Sequence, residues 1–318
     1  MITTGSPKAI PPGMIDCHLH HGPDAIPRRQ NALELAQAAR AAGMGGIVLK
    51  SHHANTGNLA AQVQRIVPEI EVIGGIALNG AVGGLNPSAV RMAARFGTRL
   101  VWMPTTSAAN HVRRLAESST MNALRAESGD EGISILDERG KVVDEVDAIL
   151  GEVKAANMAL ATGHLSPEET IKLAEHAHAG GFPMHRFVVT HCDMPFTFAD
   201  DDAQAYLAGL GAFLERVLML YLSYVKEASP DALEPGAAYT GRSFYMPDWL
   251  DLDGVLDRIR QVGVGRNLMS TDLGQAGNPE PVEGIRKGCT LLLERGFTPD
   301  ELHQMGVLAP RTLLGLTN

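Results

Sequence analysis

Eight short apolar runs, each followed by a stretch of helical periodicity, constrain the fold of this 318-residue chain more than any single motif does. The runs cover residues 14–20, 46–50, 71–78, 99–103, 158–164, 187–191, 212–216 and 267–272. Helix signals stand between them. Asn31 opens a periodic stretch that stops at Gly43, and Pro87 opens another that ends at Gly97. Ser166-Pro167-Glu168-Glu169 supplies an N-cap serine, a first-turn proline and first-turn acids. Such alternation builds right-handed βαβ units on a parallel sheet, and eight of them predict a closed (β/α)8 barrel of the TIM type. The alternative is an open doubly wound sheet. Its glycine-rich GxGxxG turn is missing after the first run, and Gly74, Gly75, Gly80, Gly83 and Gly84 lack that spacing.

Three stretches fall outside the alternation. Residues 133–136 and 142–143 flank Glu138-Arg139-Gly140 and predict a small β-hairpin inserted after the fourth strand. Residues 105–132 read as irregular and polar. The run 217–225, VLMLYLSYV, either extends the seventh strand or begins another element, and it is a candidate homo-oligomer interface. With no composition break or linker, the chain reads as a tail (1–13) followed by one barrel domain (14–318).

Barrel active sites are built where the strands end at their C-terminal side. There the sequence places His18 and His20, Lys50 with His52, His164, His191, Glu215 and Asp272. Residues two apart on a strand share a face, so His18 and His20 project together, ~7 Å apart along the chain. A His-x-His pair alone is a weak signal. Neutral imidazoles joined by a carboxylate around an open position are the ligand set of a catalytic zinc or a similar first-row ion. Arg28 and Arg242 lie in loops after the first and seventh strands and are candidates to hold a substrate carboxylate. His111, Tyr239 and Tyr245 are candidates to close over the site.

Composition narrows the partners. A net charge of −9 excludes nucleic acid and anionic membrane surfaces as expected partners. No apolar run approaches the ~20 residues of a membrane span, and no secretory signal is visible at the start. Cys17, Cys192 and Cys289 cannot all pair, which suits a reduced, cytoplasmic chain with thiols in its core. Strict alternation turns Cys17 away from the His18/His20 face.

Asp16-Cys17-His18-Leu19-His20, Thr162-Gly163-His164, Val189-Thr190-His191, Ser270-Thr271-Asp272 and the closing Ala309-Pro310-Arg311-Thr312-Leu313-Leu314-Gly315-Leu316 together resemble the amidohydrolase superfamily of metal-dependent barrels. The resemblance runs from about residue 14 to the end, and it is to an uncharacterised branch. It implies that His18, His20 and Asp272 bind a buried divalent ion, most simply Zn2+, with Mn2+, Fe2+ or Ni2+ as alternatives. His164 would join them, or hold a second ion with His191. One departure matters. Binuclear members carry a carboxylated lysine or a glutamate at the end of the fourth strand, whereas this strand ends Trp102-Met103-Pro104. Lys50 and Glu215 are the nearby substitutes. Either one ion is bound and His191 acts as acid/base, or two are bridged by a carboxylated Lys50.

The implied reaction is cleavage of a C–N or C–O bond in a small molecule (a cyclic amide, amide or lactone) by a metal-activated water, with Asp272 moving the proton. Decarboxylation or deamination at one ion and phosphoester hydrolysis are alternative reactions. A metal-stabilised binding barrel without catalysis is the reading from another class. Structural zinc sites closed by cysteine-rich ligand sets argue against it.

Overall fold

The computed structural model describes residues 10–117, 132–194, 196–224 and 252–316. Eight strands run through it: β1 (Ile15–His20), β2 (Gly46–Lys50), β3 (Glu71–Ala77), β4 (Leu100–Trp102), β5 (Ala159–Ala161), β6 (Phe187–Val189), β7 (Phe213–Val217) and β8 (Asn267–Ser270). They pair in sequence order, every pair parallel. β1 and β8 meet where the His20 N–H donates to the Leu273 carbonyl (2.8 Å) and the Asp272 N–H to the His18 carbonyl (2.7 Å). Helices alternate with the strands, so the predicted (β/α)8 barrel is the observed one.

Local chemistry sets the helix ends. Asn31 with Glu34, Ser166 with Glu169 and Thr298 with Glu301 form capping boxes, each satisfying backbone donors that a helix start leaves open. The helix Ala32–Ala41 buries Leu35, Ala36 and Ala39, a narrow face whose alanines let it lie close to the sheet. Burying a side chain such as Leu35 contributes about 1.5–3 kcal/mol.

Inside the barrel, Ile15, Cys17, Val48, Trp102, Phe213 and Leu268 pack with Leu313 of the helix Ala309–Leu314. Arg99 and Arg186, which precede β4 and β6, donate to the carbonyls of Leu314 and Leu313. That helix therefore covers the N-terminal mouth and leaves the opposite one for chemistry. Gly75 on β3 makes room for the largest interior side chain: a Cβ there would lie 2.2 Å from the Trp102 ring. On the outer side, Arg216 of β7 forms a buried ion pair with Asp193 (2.7 Å) and donates to Asn267 of β8 (2.7 Å), tying the end of the barrel together. Among the described residues, no helix is long and apolar enough to cross a membrane.

The structure departs from the sequence reading at two places. Residues Ala109–Glu117 are helical, although the segment reads as polar and irregular; the inner face of this helix is carried by buried Asn110 and His111 rather than by an apolar stripe. The run after β7, left open between two readings, begins a new element: the helix Leu218–Tyr224 follows Val217 directly. Cys17 packs with Ile15 in the barrel interior, contrary to strict alternation. The reason is a bulge: Asp16 pairs with Ile47 but Leu19 with Leu49, so β1 carries one extra residue and its facing resets before His18. The predicted hairpin is present in miniature, held by Val143 N–H to the Ile135 carbonyl and Asp137 N–H to the Lys141 carbonyl.

Candidate active site

β1 and the residues after β8 bring three groups together at the C-terminal mouth. Asp272 Oδ1 lies 3.0 Å from His18 Nε2 and 3.1 Å from His20 Nε2. Their ligating atoms all fall within 4.8 Å of one another, and the three side chains are buried. Asp272 adopts a left-handed backbone (φ 53°), which costs a non-glycine residue on the order of 1 kcal/mol or more. Neighbours hold it there. Asp16 accepts from the Thr271 N–H (3.0 Å) and the Thr271 hydroxyl (2.6 Å), while Gln275 donates to the Asp272 carbonyl (2.8 Å).

Glu215 sits behind His18. Its Oε1 is 2.9 Å from His18 Nδ1 and accepts from the Ser270 hydroxyl (2.7 Å); its Oε2 accepts from the His191 N–H (2.9 Å). An ionised carboxylate can only accept, so it keeps a proton on His18 Nδ1 and turns Nε2 toward Asp272. Burial would raise the Glu215 pKa, but the His18 ring outweighs it and holds the carboxylate low. Lys50 Nζ lies 2.7 Å from His18 Nε2, and its ammonium stands 5.3 Å from the centre of the Trp102 ring. Two donors cannot face each other at that distance, so Lys50 and His18 share one proton between them. Burial pulls Lys50 down to about 8. It also pulls His18 down, but Asp272 and Glu215 win there and push that ring up to about 9. Asp272 is held well below the usual carboxylate range: burial raises it, and the His18 charge with both histidine hydrogen bonds more than reverses this.

Further imidazoles complete the mouth. The His164 ring centre is 5.0 Å from that of His191 and 6.0 Å from that of His52; His52 lies 4.8 Å from His20. Burial is the main cause that keeps His20, His52 and His164 far below their ordinary pKa and His191 at about 4, so these rings are neutral. The Thr197 hydroxyl donates to the His191 carbonyl and so accepts from His191 Nδ1 (3.0 Å), leaving His191 Nε2 as an acceptor.

The cleft is lined by His20, Arg28, Lys50, His52, His164, His191, Asp272 and Gln275, with Ile26, Met194 and Phe196 as its apolar part. Of the residues singled out in the sequence, His18, His20 and Asp272 converge, and Lys50, His52, His164, His191 and Arg28 share their cleft. Glu215 lies on the far nitrogen of His18 rather than in the bridging place considered for it. His111 stands behind His164, their Nδ1 atoms 2.9 Å apart. Arg242, Tyr239 and Tyr245 lie outside the described residues. The fourth strand delivers the Trp102 ring, 5.7 Å from that of His18, where a bridging side chain was sought. Sequence reasoning missed the clamps, namely Asp16, Thr197 and Ser270. Asp16 at least stands inside the DxHxH run, where an acid two residues before the first histidine was a readable signal.

The donor set fits a first-row divalent ion: two imidazole nitrogens with fixed tautomer or neutral charge, one ionised oxygen, and further neutral histidines beside them. The fold and this arrangement define the class as a (β/α)8 barrel with a buried His/His/Asp cluster at its C-terminal mouth. Solved structures share the fold. An amidohydrolase from Pseudomonas aeruginosa superposes with a TM-score of 0.61 at 11% identity, over 98% of this chain and 99% of that one. An organophosphorus hydrolase from Deinococcus radiodurans gives 0.58 at 13% identity over 96% and 94%. The probable dipeptidase PvdM from Pseudomonas aeruginosa gives 0.57 at 12% identity over 95% and 94%. No curated protein matches the chain. The sequence model of DUF6282, a family of unknown function, matches residues 13–215, and the chain belongs to that family.

Proposed function

We propose that this protein is a metal-dependent hydrolase acting on a C–N or C–O bond of a small molecule. The observation that carries the reading is the convergence of His18 Nε2, His20 Nε2 and Asp272 Oδ1 at the barrel mouth. His18, His20 and Asp272 would hold the ion, most simply Zn2+, with His164 and His191 placed to complete its shell or to hold a second one. When bound, such an ion supplies Lewis acidity and makes hydroxide available near neutral pH.

The chain's own groups divide the remaining work. Asp272, kept ionised, is the acceptor for the proton of the attacking water and returns it to the leaving group. His191, with Nδ1 tied to Thr197, offers Nε2 as a ligand or proton acceptor; in this tautomer it cannot donate to an oxyanion from that nitrogen. The Lys50 and Arg28 cations face charge that develops on the substrate. Ile26, Met194 and Phe196 keep water off one part of the cleft.

The place of Lys50, 2.7 Å from His18 Nε2, favours a second variant of the site, with a carboxylated Lys50 bridging two ions. A phosphoester substrate is the second reading of the reaction, favoured by the organophosphorus hydrolase among the structural neighbours. The test is a panel of lactones, cyclic amides and phosphotriesters assayed with zinc-loaded protein and with Asp272→Asn. We expect turnover of a carbonyl substrate that the variant loses by at least about a thousandfold, the scale of a missing catalytic base. Undiminished turnover in a folded Asp272→Asn protein would remove Asp272 from its role.

A further inference from the structure

Arg28 stands in the cleft in an unusual state. Its side chain is 2% exposed, as is that of its partner Asp24. Asp24 Oδ2 takes the side of the guanidinium, at 2.9 Å from Nε and 2.8 Å from Nη2. The other oxygen, Oδ1, is occupied by His53 Nδ1 (2.8 Å) and the Ala25 N–H (2.7 Å), so Asp24 has nothing left to offer. Asp24 is held well below the usual carboxylate range, burial being outweighed by His53 and Arg28. Nη2 is buried without a well-formed hydrogen bond, and among the described residues no partner is found for Nη1. A rim salt bridge would leave that end of the guanidinium in water. Here the side chain is buried and Arg28 lines the cleft.

The position is also rigid. Arg28 pairs through an antiparallel bridge with Gln275, and the Arg29 N–H donates to the Gly274 carbonyl (2.9 Å). Gln275 in turn holds the Asp272 carbonyl. The loop after β1 and the turn after β8 thus set the distance between Arg28 and the His18/His20/Asp272 cluster. Among the described residues lining the cleft, Arg28 is the one guanidinium, and its charge is among the causes that keep His20 and His52 neutral. A buried donor edge left open costs free energy unless a ligand fills it. A planar fork of two N–H groups matches a carboxylate best.

We propose that the substrate is an acid, and that the free Nη1/Nη2 edge of Arg28 takes its carboxylate while the scissile group lies at the His18/His20/Asp272 cluster. Arg28 is then a specificity residue, and Asp24 with His53 its positioning residues. This assignment rests on the cleft being the substrate site of the proposed hydrolase.

The test measures binding by calorimetry for glutarate, its monoamide, its diamide and inorganic phosphate, on zinc-loaded protein and on EDTA-treated protein. Wild type, Arg28→Met, Arg28→Lys and the exposed-loop control Arg29→Met are compared. Zinc uptake and circular dichroism of each variant report folding. Glutarate and the monoamide are expected to bind both forms of the wild type, and the diamide neither. Arg28→Met should weaken glutarate about tenfold or more, the scale of one charged hydrogen-bonded pair. Arg28→Lys should fall between, and Arg29→Met should match wild type. Equal binding by Arg28→Met, equal binding of the diamide, tighter binding of phosphate, or no binding of any carboxylate would each overturn the proposal. Loss of zinc uptake with carboxylate binding intact would instead count against the hydrolase reading, which keeps the two failures apart.

Discussion

At this barrel mouth His18, His191 and His164 are each held by a group behind the ring. His18 is the clearest case, because Glu215 fixes which nitrogen carries the proton and Ser270 fixes Glu215. Glu215→Gln keeps the size but can present its amide to Nδ1 as a donor, which inverts the tautomer. Zinc affinity should fall by roughly 10–100-fold, with the fold retained; competition against a fluorescent chelator measures it, and an unchanged affinity would show that His18 is oriented by other contacts. The shared Lys50–His18 proton predicts the pH response. His18 is pushed up to about 9 and Lys50 pulled down to about 8, so near neutral pH an incoming ion must displace a proton from the pair. Uptake should therefore tighten as pH rises from 6 toward 8, by up to about tenfold per unit for one displaced proton, and level off above the pair's range. A flat profile over that interval would contradict the proton assignment. Residue types and strand-end positions made His18, His20, His164, His191 and Asp272 legible in the sequence. Glu215 was legible as a strand-end acid only; which histidine it faces depends on a pairing across 197 positions.

At the scale of elements, the site depends on how β1 meets the residues after β8. The bulge between Asp16 and Leu19 resets the facing of β1, and Asp16 clamps Thr271. Period-two reasoning put His18 and His20 on one face correctly, but it could not see an extra residue and so misplaced Cys17. The helix Ala109–Glu117 escaped notice for a related reason. Its buried face is polar because Asn110 donates to the His164 and Phe196 carbonyls and His111 packs behind His164, and an apolar stripe is what a periodicity search looks for. Gly274 tests the β1–β8 junction. A Cβ there would lie 2.0 Å from the His20 carbonyl oxygen, and its φ of +128° disfavours any side chain. Gly274→Ala should cost about 1–3 kcal/mol of stability, as overpacking does, and should weaken zinc uptake because His20 moves. Denaturant unfolding with a parallel zinc titration reads both; a variant with wild-type values in each would show that the junction yields without consequence.

For the molecule as a whole, the alternation of eight runs was enough to predict the barrel, because parallel strands joined by helices close in few ways. The reaction is a different matter: fold does not imply function, and the structural neighbours, at 11–13% identity, speak to the fold. The central claim is that the C-terminal mouth is a metal centre held by His18, His20 and Asp272. Elemental analysis of the purified protein after incubation with zinc and removal of excess tests it most directly, with His18→Ala/His20→Ala as the paired control. The account predicts one or two tightly held equivalents per chain in the wild type and their loss in the folded double variant. A wild type that retains no zinc, manganese, iron or nickel, or a double variant that retains as much as the wild type, would contradict it.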